Sequence, residues 1–252
     1  MAVNALVMTK LSIIIPAYNE QSKIGRDIIA ADHFLTSEGI CGEIIVVDDG
    51  STDTTTETAR EAANDVQSAC TVERLDKNSG KGRAVRTGIL KSSGEFVLFA
   101  DSGNCVPYLE CKIGIELICS GKCRIAHGSR KLLEGHIVRP QSIYRKICSG
   151  LFHWFLIHDI KRLGNLTDTQ CGFKVYHGDT ARTLYAQSTM DGFAFDIEII
   201  LLALSQGLTI CEFPVDWTCD PDSRLKPARQ AVHVLSDLIH LKKSFKDFLK
   251  KQ

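Results

Sequence analysis

The residues of this chain best suited to chemistry are polar clusters that recur where apolar runs stop. Asp48-Asp49-Gly50-Ser51-Thr52-Asp53 follows Glu43–Val47, and Asp101-Ser102-Gly103-Asn104 follows Glu95–Ala100. Pro16–Glu20 (PAYNE) follows Leu11–Ile15, and Asn78–Arg83 (NSGKGR) comes after a third run, Thr71–Leu75. Carboxylates set among hydroxyls and glycines suit hydrogen bonds to a base and ribose, and a hard divalent cation that bridges phosphates. Asn78, Lys81 and Arg83 add groups that can meet ribose or phosphate. The same residue types also build solvated turns, and Ser51 and Asp53 are both N-cap candidates for a following helix.

These clusters need a scaffold that brings them together, and the hydrophobic pattern supplies one. Leu11–Ile15 (LSIII), Glu43–Val47 (EIIVV) and Glu95–Ala100 (EFVLFA) read as strands buried on both faces, the first ended by Pro16. Glu20 to about Ser37 has helical spacing through Ile24, Ile28, Ala31 and Leu35, and Thr54–Ala69 and Lys81–Lys91 also read as helices. Such alternation predicts an α/β fold with a doubly wound, mostly parallel sheet flanked by helices. In an open sheet of that kind ligands bind at the carboxyl ends of the strands, which is where the polar clusters fall. After Asp101 the pattern fades, although Arg124–Ser129 reads as a further strand. Neither Gly-x-Gly-x-x-Gly nor Gly-x4-Gly-Lys-Ser/Thr follows the first strand, which argues against dinucleotide oxidoreductases and P-loop phosphotransferases.

Taken in order, Ser12–Glu20 (SIIIPAYNE), Glu43–Thr55 (EIIVVDDGSTDTT) and Asn78–Gly88 (NSGKGRAVRTG) resemble the family 2 glycosyltransferases of the GT-A (Rossmann-like) fold. Asp168–Tyr176 (DTQCGFKVY), Gly192–Ala203 (GFAFDIEIILLA) and Glu212–Leu225 (EFPVDWTCDPDSRL) resemble the polyprenyl-phosphate hexosyltransferases within it. Dolichyl-phosphate glucosyltransferases are the nearest of these in pattern, and dolichyl-phosphate mannose synthases come next. The resemblance covers roughly residues 10 to 230.

It implies an inverting transfer of a hexose, glucose from UDP-glucose before mannose from GDP-mannose, onto a polyprenyl or dolichyl phosphate. Pro16, Tyr18, Glu20, Asp48, Asp49, Asn78, Lys81, Arg83 and Asp101 are the nucleotide-sugar positions it implies. Asp101 would anchor Mg2+ or Mn2+, which neutralises the leaving diphosphate. The family's Asp-x-Asp reads Asp101-Ser102-Gly103-Asn104 here, so the second carboxylate is missing, and either the cation is held more weakly or a later residue completes its shell. Asp168 and Gln170 match the acceptor-side motif. An acceptor phosphate is already ionised and needs no base, whereas a hydroxyl acceptor would make Asp168 the base candidate. Arg130, Arg139, Arg145 and Lys226 are candidates for the acceptor phosphate, since guanidinium forks match phosphate, and Arg224 falls on the loop that would cover the diphosphate. The alternatives are a transferase acting on a glycolipid or other hydroxyl, or a non-catalytic sugar-nucleotide-binding protein.

Charge and composition set the remaining expectations. Thirty Lys+Arg balance thirty Asp+Glu, which argues against a nucleic-acid partner. The balance is uneven: residues 224–252 carry eight Lys/Arg against two Asp, a net of +6, leaving −6 on residues 1–223. The division expected is a GT-A domain over 8–227 and a basic amphipathic helix over 228–252. Val234–Leu249 and Ile143–Ile160 both pair apolar stripes with basic residues, which suits a membrane surface as well as packing on the sheet or across a homo-oligomer. Ten scattered cysteines without a Cys-x-x-Cys pair, no secretory signal and no run of 18 apolar residues predict a cytoplasmic protein, peripheral to the membrane.

Overall fold

The computed structural model describes residues 10–132, 137–139 and 166–218, with residues 237, 240, 241 and 243–246 near the carboxyl end. Strands and helices alternate through β1 (Leu11–Ala17), α1 (Ile24–Ser37), β2 (Gly42–Asp48), α2 (Thr55–Asn64), β3 (Ala69–Arg74), α3 (Lys81–Lys91) and β4 (Phe96–Ala100). A single 3-10 turn, Tyr108–Glu110, leads into α4 (Cys111–Cys119), followed by β5 (Ile125–Ser129) and β6 (Ile137–Arg139). The later elements are β7 (Phe173–His177), α5 (Gly178–Gln187), α6 (Phe195–Ser205), β8 (Ile210–Pro214) and β9 (Trp217–Thr218).

Seven strands form one sheet in the order β3-β2-β1-β4-β7-β5-β8, and β6 pairs with β9 apart from it. All neighbours in the large sheet are parallel except β7, which runs antiparallel to both β4 and β5. That double reversal leaves β5 and β8 pointing the same way as β1–β4. The segment entering β7 therefore starts where the other strands end, and six carboxyl ends and one amino end share a single edge. This is the α/β sheet expected, with one reversed strand that the apolar pattern did not reveal.

Strand alternation divides the core in two. Ile13 and Ile15 pack with Ile44, Val46 and Leu98 beneath α1 and α4, whereas Ile14 packs with Ile45, Val47 and Phe99 beneath α3, α5 and α6. Each fully buried side chain of this kind contributes about 1.5–3 kcal/mol. Helix α3 lies so close to the sheet that a Cβ at Gly88 would overlap Ile14.

Several boundaries differ from the sequence reading, β3 among them, which covers Ala69–Arg74 rather than Thr71–Leu75. Pro16 does not end β1; it pairs beside Val47 within the strand, and Asp49 N–H extends the pairing onto Ala17 O at 2.8 Å. Helix α1 starts at Ile24 rather than Glu20, because Asn19 adopts φ 55° and Glu20 O accepts the N–H groups of Lys23 and Ile24. Helix α2 stops at Asn64 because Ala69–Arg74 is drawn onto β2, with Ala69 opposite Glu43.

Of the proposed carboxyl-terminal helix the structure describes a few residues. Leu241 is buried in the core half that includes α3, α5 and α6, Phe245 packs partly against that half, and Lys243 and Lys246 are exposed. At Leu241, the stripe faces the protein. Ile143–Ile160 lies outside the described residues.

Candidate active site

The loops after β1 and β2 are laced together by the motif residues themselves. Asp48 is wholly buried, and its carboxylate accepts the backbone N–H of Ser51 at 2.9 Å and the hydroxyls of Ser51 and Thr56. Ser51 Oγ in turn accepts Asn19 N–H at 2.8 Å, Asn19 Oδ1 accepts Thr52 N–H at 2.9 Å, and Glu20 N–H donates to Thr55 Oγ1 at 2.8 Å. Asp53, not Ser51, reaches the first N–H of α2, at Thr55, 3.0 Å away. One oxygen of Asp48 is thus bonded within the turn and the other by the first turn of α2, so this carboxylate shapes the loop. Pro16 is buried with β1, and Tyr18 and Glu20 are half-buried at the lip, Glu20 forming a 2.6 Å ion pair with Lys23.

Asp49 joins β2 to α3. Its two oxygens accept the N–H groups of Ser79 and Gly80 at 2.7 and 2.8 Å, and burial holds its carboxyl above the ordinary value in spite of them. Gly80 is required there: its φ is +107° and a Cβ would run into Asp191 O. Asn78 and Arg83 are exposed beside this junction.

Asp101, at the end of β4, is met by the ammonium of Lys81 from the start of α3 at 2.7 Å. Burial alone would lower the lysine's pKa, but Asp101 and Asp196 hold it above the ordinary value. The Asp101 carboxylate lies against Gly172, where any Cβ would overlap it, and Asp101 N–H donates to Gly172 O at 2.8 Å. The rest of the loop belongs to Asp27 of α1, which accepts Ser102 Oγ–H at 2.7 Å and Gly103 N–H at 2.8 Å. Asp27 is not among the residues that the motifs single out, but it falls inside the Ile24, Ile28, Ala31, Leu35 stripe, where a carboxylate needs a buried partner.

Among the described residues no group of three His, Cys, Asp or Glu side chains is gathered for a metal. Asp101 offers hard oxygens, but Ser102 is committed to Asp27 and position 103 is glycine. This donor set fits a divalent cation that brings its other ligands with a nucleotide diphosphate, and does not fit one held by protein side chains alone.

On the other side of β4, Arg130 follows β5 and clasps Asp168. The guanidinium donates from Nε to Oδ2 at 2.6 Å and from Nη2 to Oδ1 at 2.8 Å, and the Arg130 N–H adds a third bond at 3.2 Å. Burial would raise the Asp168 carboxyl, but this fork holds it below the usual carboxylate value. Glu212 of β8 accepts the N–H groups of Thr167 and Asp168 at 2.7 and 2.8 Å, and Arg130 lies over the Trp217 ring at 5.3 Å. Arg130 thus commits Nε and Nη2 to Asp168. Behind them, Lys174 is completely buried, ion-paired with Asp196 and donating to Thr169 O at 3.1 Å. Cys171 lies between the two halves, its thiol pushed up to about 12 chiefly by burial, with Arg130, Asp168, Lys174 and Asp101 all acting on it.

One sheet edge thus collects Pro16–Glu20, Asp48–Asp53, Asn78–Arg83, Asp101, Arg130 and Asp168, with half-exposed Gln170 beside them. Arg139 lies in β6, opposite Thr218 of β9. Arg145, Arg224 and Lys226 fall outside the described residues.

Comparison with known proteins agrees with this architecture. The profile described as glycosyl transferase family 2 matches residues 12–180. The dolichyl-phosphate beta-glucosyltransferase of Dictyostelium discoideum is 31% identical over 242 residues, covering 92% of this chain and 73% of that protein. The Homo sapiens protein of the same name is 31% identical over 247 residues, with coverages of 92% and 75%. In fold, the chain is similar to glucosyl-3-phosphoglycerate synthase from Mycobacterium tuberculosis in complex with Mn2+, UDP and glucosyl-3-phosphoglycerate. The TM-score is 0.67 at 19% identity, over 90% of this chain and 78% of that one.

Proposed function

Because the chain belongs to glycosyl transferase family 2, we propose that it is an inverting glucosyltransferase that moves glucose from UDP-glucose onto a dolichyl or related polyprenyl phosphate. The names of relatives that match most of the chain support this donor sugar and acceptor. UDP-glucose carries its sugar in α linkage, so a β product requires inversion, with the acceptor attacking the anomeric carbon opposite the departing UDP.

The observation that carries the acceptor assignment is the Arg130 fork on Asp168. A general base needs a pKa near the working pH and a free oxygen. Asp168 has both oxygens engaged and its carboxyl held down. That suits a nucleophile already ionised, such as a phosphate monoester, and not a neutral sugar or lipid hydroxyl. Asp168 and Arg130 then act as a rigid wall that places the acceptor, with Gln170 beside it.

On the donor side, this reading assigns Tyr18 and Asp49 to the base, with Asp48 shaping the turn beside them. It assigns Asn78 and Arg83, exposed beside that junction, to ribose and phosphate. A Mg2+ or Mn2+ ion shared between Asp101 and the diphosphate would neutralise charge on the leaving UDP. Arg139, Arg145, Arg224 and Lys226 remain the candidate cations for phosphate groups. The lipid acceptor places the reaction at a membrane surface; among the described residues no helix is long and apolar enough to cross one.

A donor and acceptor panel tests this reading. UDP release from UDP-glucose should require a polyprenyl phosphate and should not occur with the matching polyprenol or a glycolipid. GDP-mannose should be a poor donor. Equal rates with phosphate and alcohol acceptors would return Asp168 to the role of base.

A further inference from the structure

We propose that Lys81 is a built-in counter-ion of Asp101 that makes divalent-cation binding conditional on the nucleotide. The inference rests on the reading of this edge as a nucleotide-diphosphate site. Lys81 Nζ lies 2.7 Å from Asp101 Oδ1, on the carboxylate that would anchor the cation. Its location runs against the local electrostatics. Lys81 is the first residue of α3, where the positive end of the helix dipole disfavours an ammonium. The first turn of α3 holds no acidic residue, and Gly80 at its N-cap makes no side-chain cap. The other carboxylate acting on Lys81, Asp196, is ion-paired to Lys174. The lysine also lies over the Phe99 ring at 5.3 Å. A residue that breaks a local rule within a cluster of motifs marks a functional constraint.

The consequence is competition. A dication approaching Asp101 without nucleotide meets one carboxylate already neutralised by an ammonium, while Ser102 is held by Asp27 and residue 103 has no side chain. A diphosphate changes both terms, because its oxygens are ligands for the cation and an alternative partner for Lys81. Cation and nucleotide should then bind as strongly coupled ligands, each raising the affinity of the other by the same factor.

The test is Mn2+ binding, followed by the loss of the free-ion electron paramagnetic resonance signal and by calorimetry, with and without UDP. The proteins compared are the native chain, Lys81→Met and, as a control, Lys91→Met, which removes an exposed pair with Glu73. Circular dichroism and thermal melting establish that the variants fold. Without UDP, Lys81→Met should bind Mn2+ about tenfold more tightly than the native chain, from removal of one like charge beside the site. The UDP–Mn2+ coupling should shrink correspondingly, and Lys91→Met should behave as native. Unchanged or weaker Mn2+ binding by Lys81→Met without UDP overturns the counter-ion proposal, leaving the nucleotide reading intact if Mn2+ still binds with UDP. Mn2+ binding to the native chain that UDP does not strengthen overturns it as well. Failure of every protein to bind Mn2+ in the presence of UDP removes both the proposal and the cation reading beneath it.

Discussion

Arg130→Met separates two accounts of Asp168, and its size follows from the geometry. The variant keeps an apolar stem over Trp217 and removes both side-chain bonds to Asp168, leaving the 3.2 Å backbone N–H. Asp168 is 3% exposed, so it would be a buried charge with one weak donor. Removing one member of a buried pair costs about 3–5 kcal/mol, and the partial exposure of Arg130 points to the lower end, about 3 kcal/mol. Urea denaturation of Arg130→Met, Asp168→Asn and the double variant gives the coupling directly, expected at about 1.5–3 kcal/mol. The pH dependence has a definite sign. The folded-state pKa of Asp168 is depressed, so its contribution is complete above the unfolded value, about 3.9, and is lost as pH falls through the lower folded value. A coupling below about 0.5 kcal/mol would mark an ordinary exposed pair. Asp168 would then be free to act as a base, and the preference for an ionised acceptor would lose its support.

Other consequences are independent of that pair. Gly172→Ala places a Cβ on the Asp101 carboxylate, so transfer should fall by at least about 100-fold, roughly 2.7 kcal/mol of transition-state stabilisation, while the circular dichroism spectrum stays native. Asp27→Ala releases Ser102 and Gly103, which should cost about 1–3 kcal/mol in urea and raise the KM for the sugar nucleotide. Leu241→Ala tests whether the carboxyl-terminal segment is packed on the body; a loss of about 2–5 kcal/mol is expected, and a neutral result would leave its stripe free for a membrane. Glu110 is pushed up to about 7 by burial, with the Asp216 charge adding to it. Its folded pKa exceeds the unfolded one, so stability should decline as pH rises from about 4.5 to 7, and Glu110→Gln should flatten that decline in melts run across the range.

The first half of the fold was legible because its physics is local. Ile13–Ile15 and Ile44–Val47 are apolar runs without alternation, the pattern of strands covered on both faces, and each ends in residues that turn. The reversed strand β7 was not legible. Phe173–His177 carries Lys174 within a buried strand, and the charge that balances that lysine comes from Asp196, 22 residues later. The candidate site divides along the same line. Asp48, Asp49, Lys81 and Asp101 follow strands and could be placed by their neighbours in sequence. Nothing near Arg130 in sequence announces its pairing with Asp168, 38 residues on. Asp48 and Asp49 look alike as letters, yet one bonds its own turn and the first turn of α2 and the other reaches the start of α3, a difference set by Thr56 and Gly80.

The central claim is glucosyl transfer to a lipid phosphate at the edge formed by β1, β2, β4 and β5, and product formation tests it most directly. The native chain and Asp101→Ala would be incubated with UDP-glucose labelled in the sugar, a divalent cation and dolichyl phosphate in detergent, with the lipid product extracted and its anomer assigned by NMR. The account predicts a β-linked glucosyl phospholipid formed with one UDP per glucose, and a loss of at least about 100-fold on removing the Asp101 carboxylate. An α-linked product, a product formed equally well from dolichol, or undiminished turnover by Asp101→Ala would contradict it.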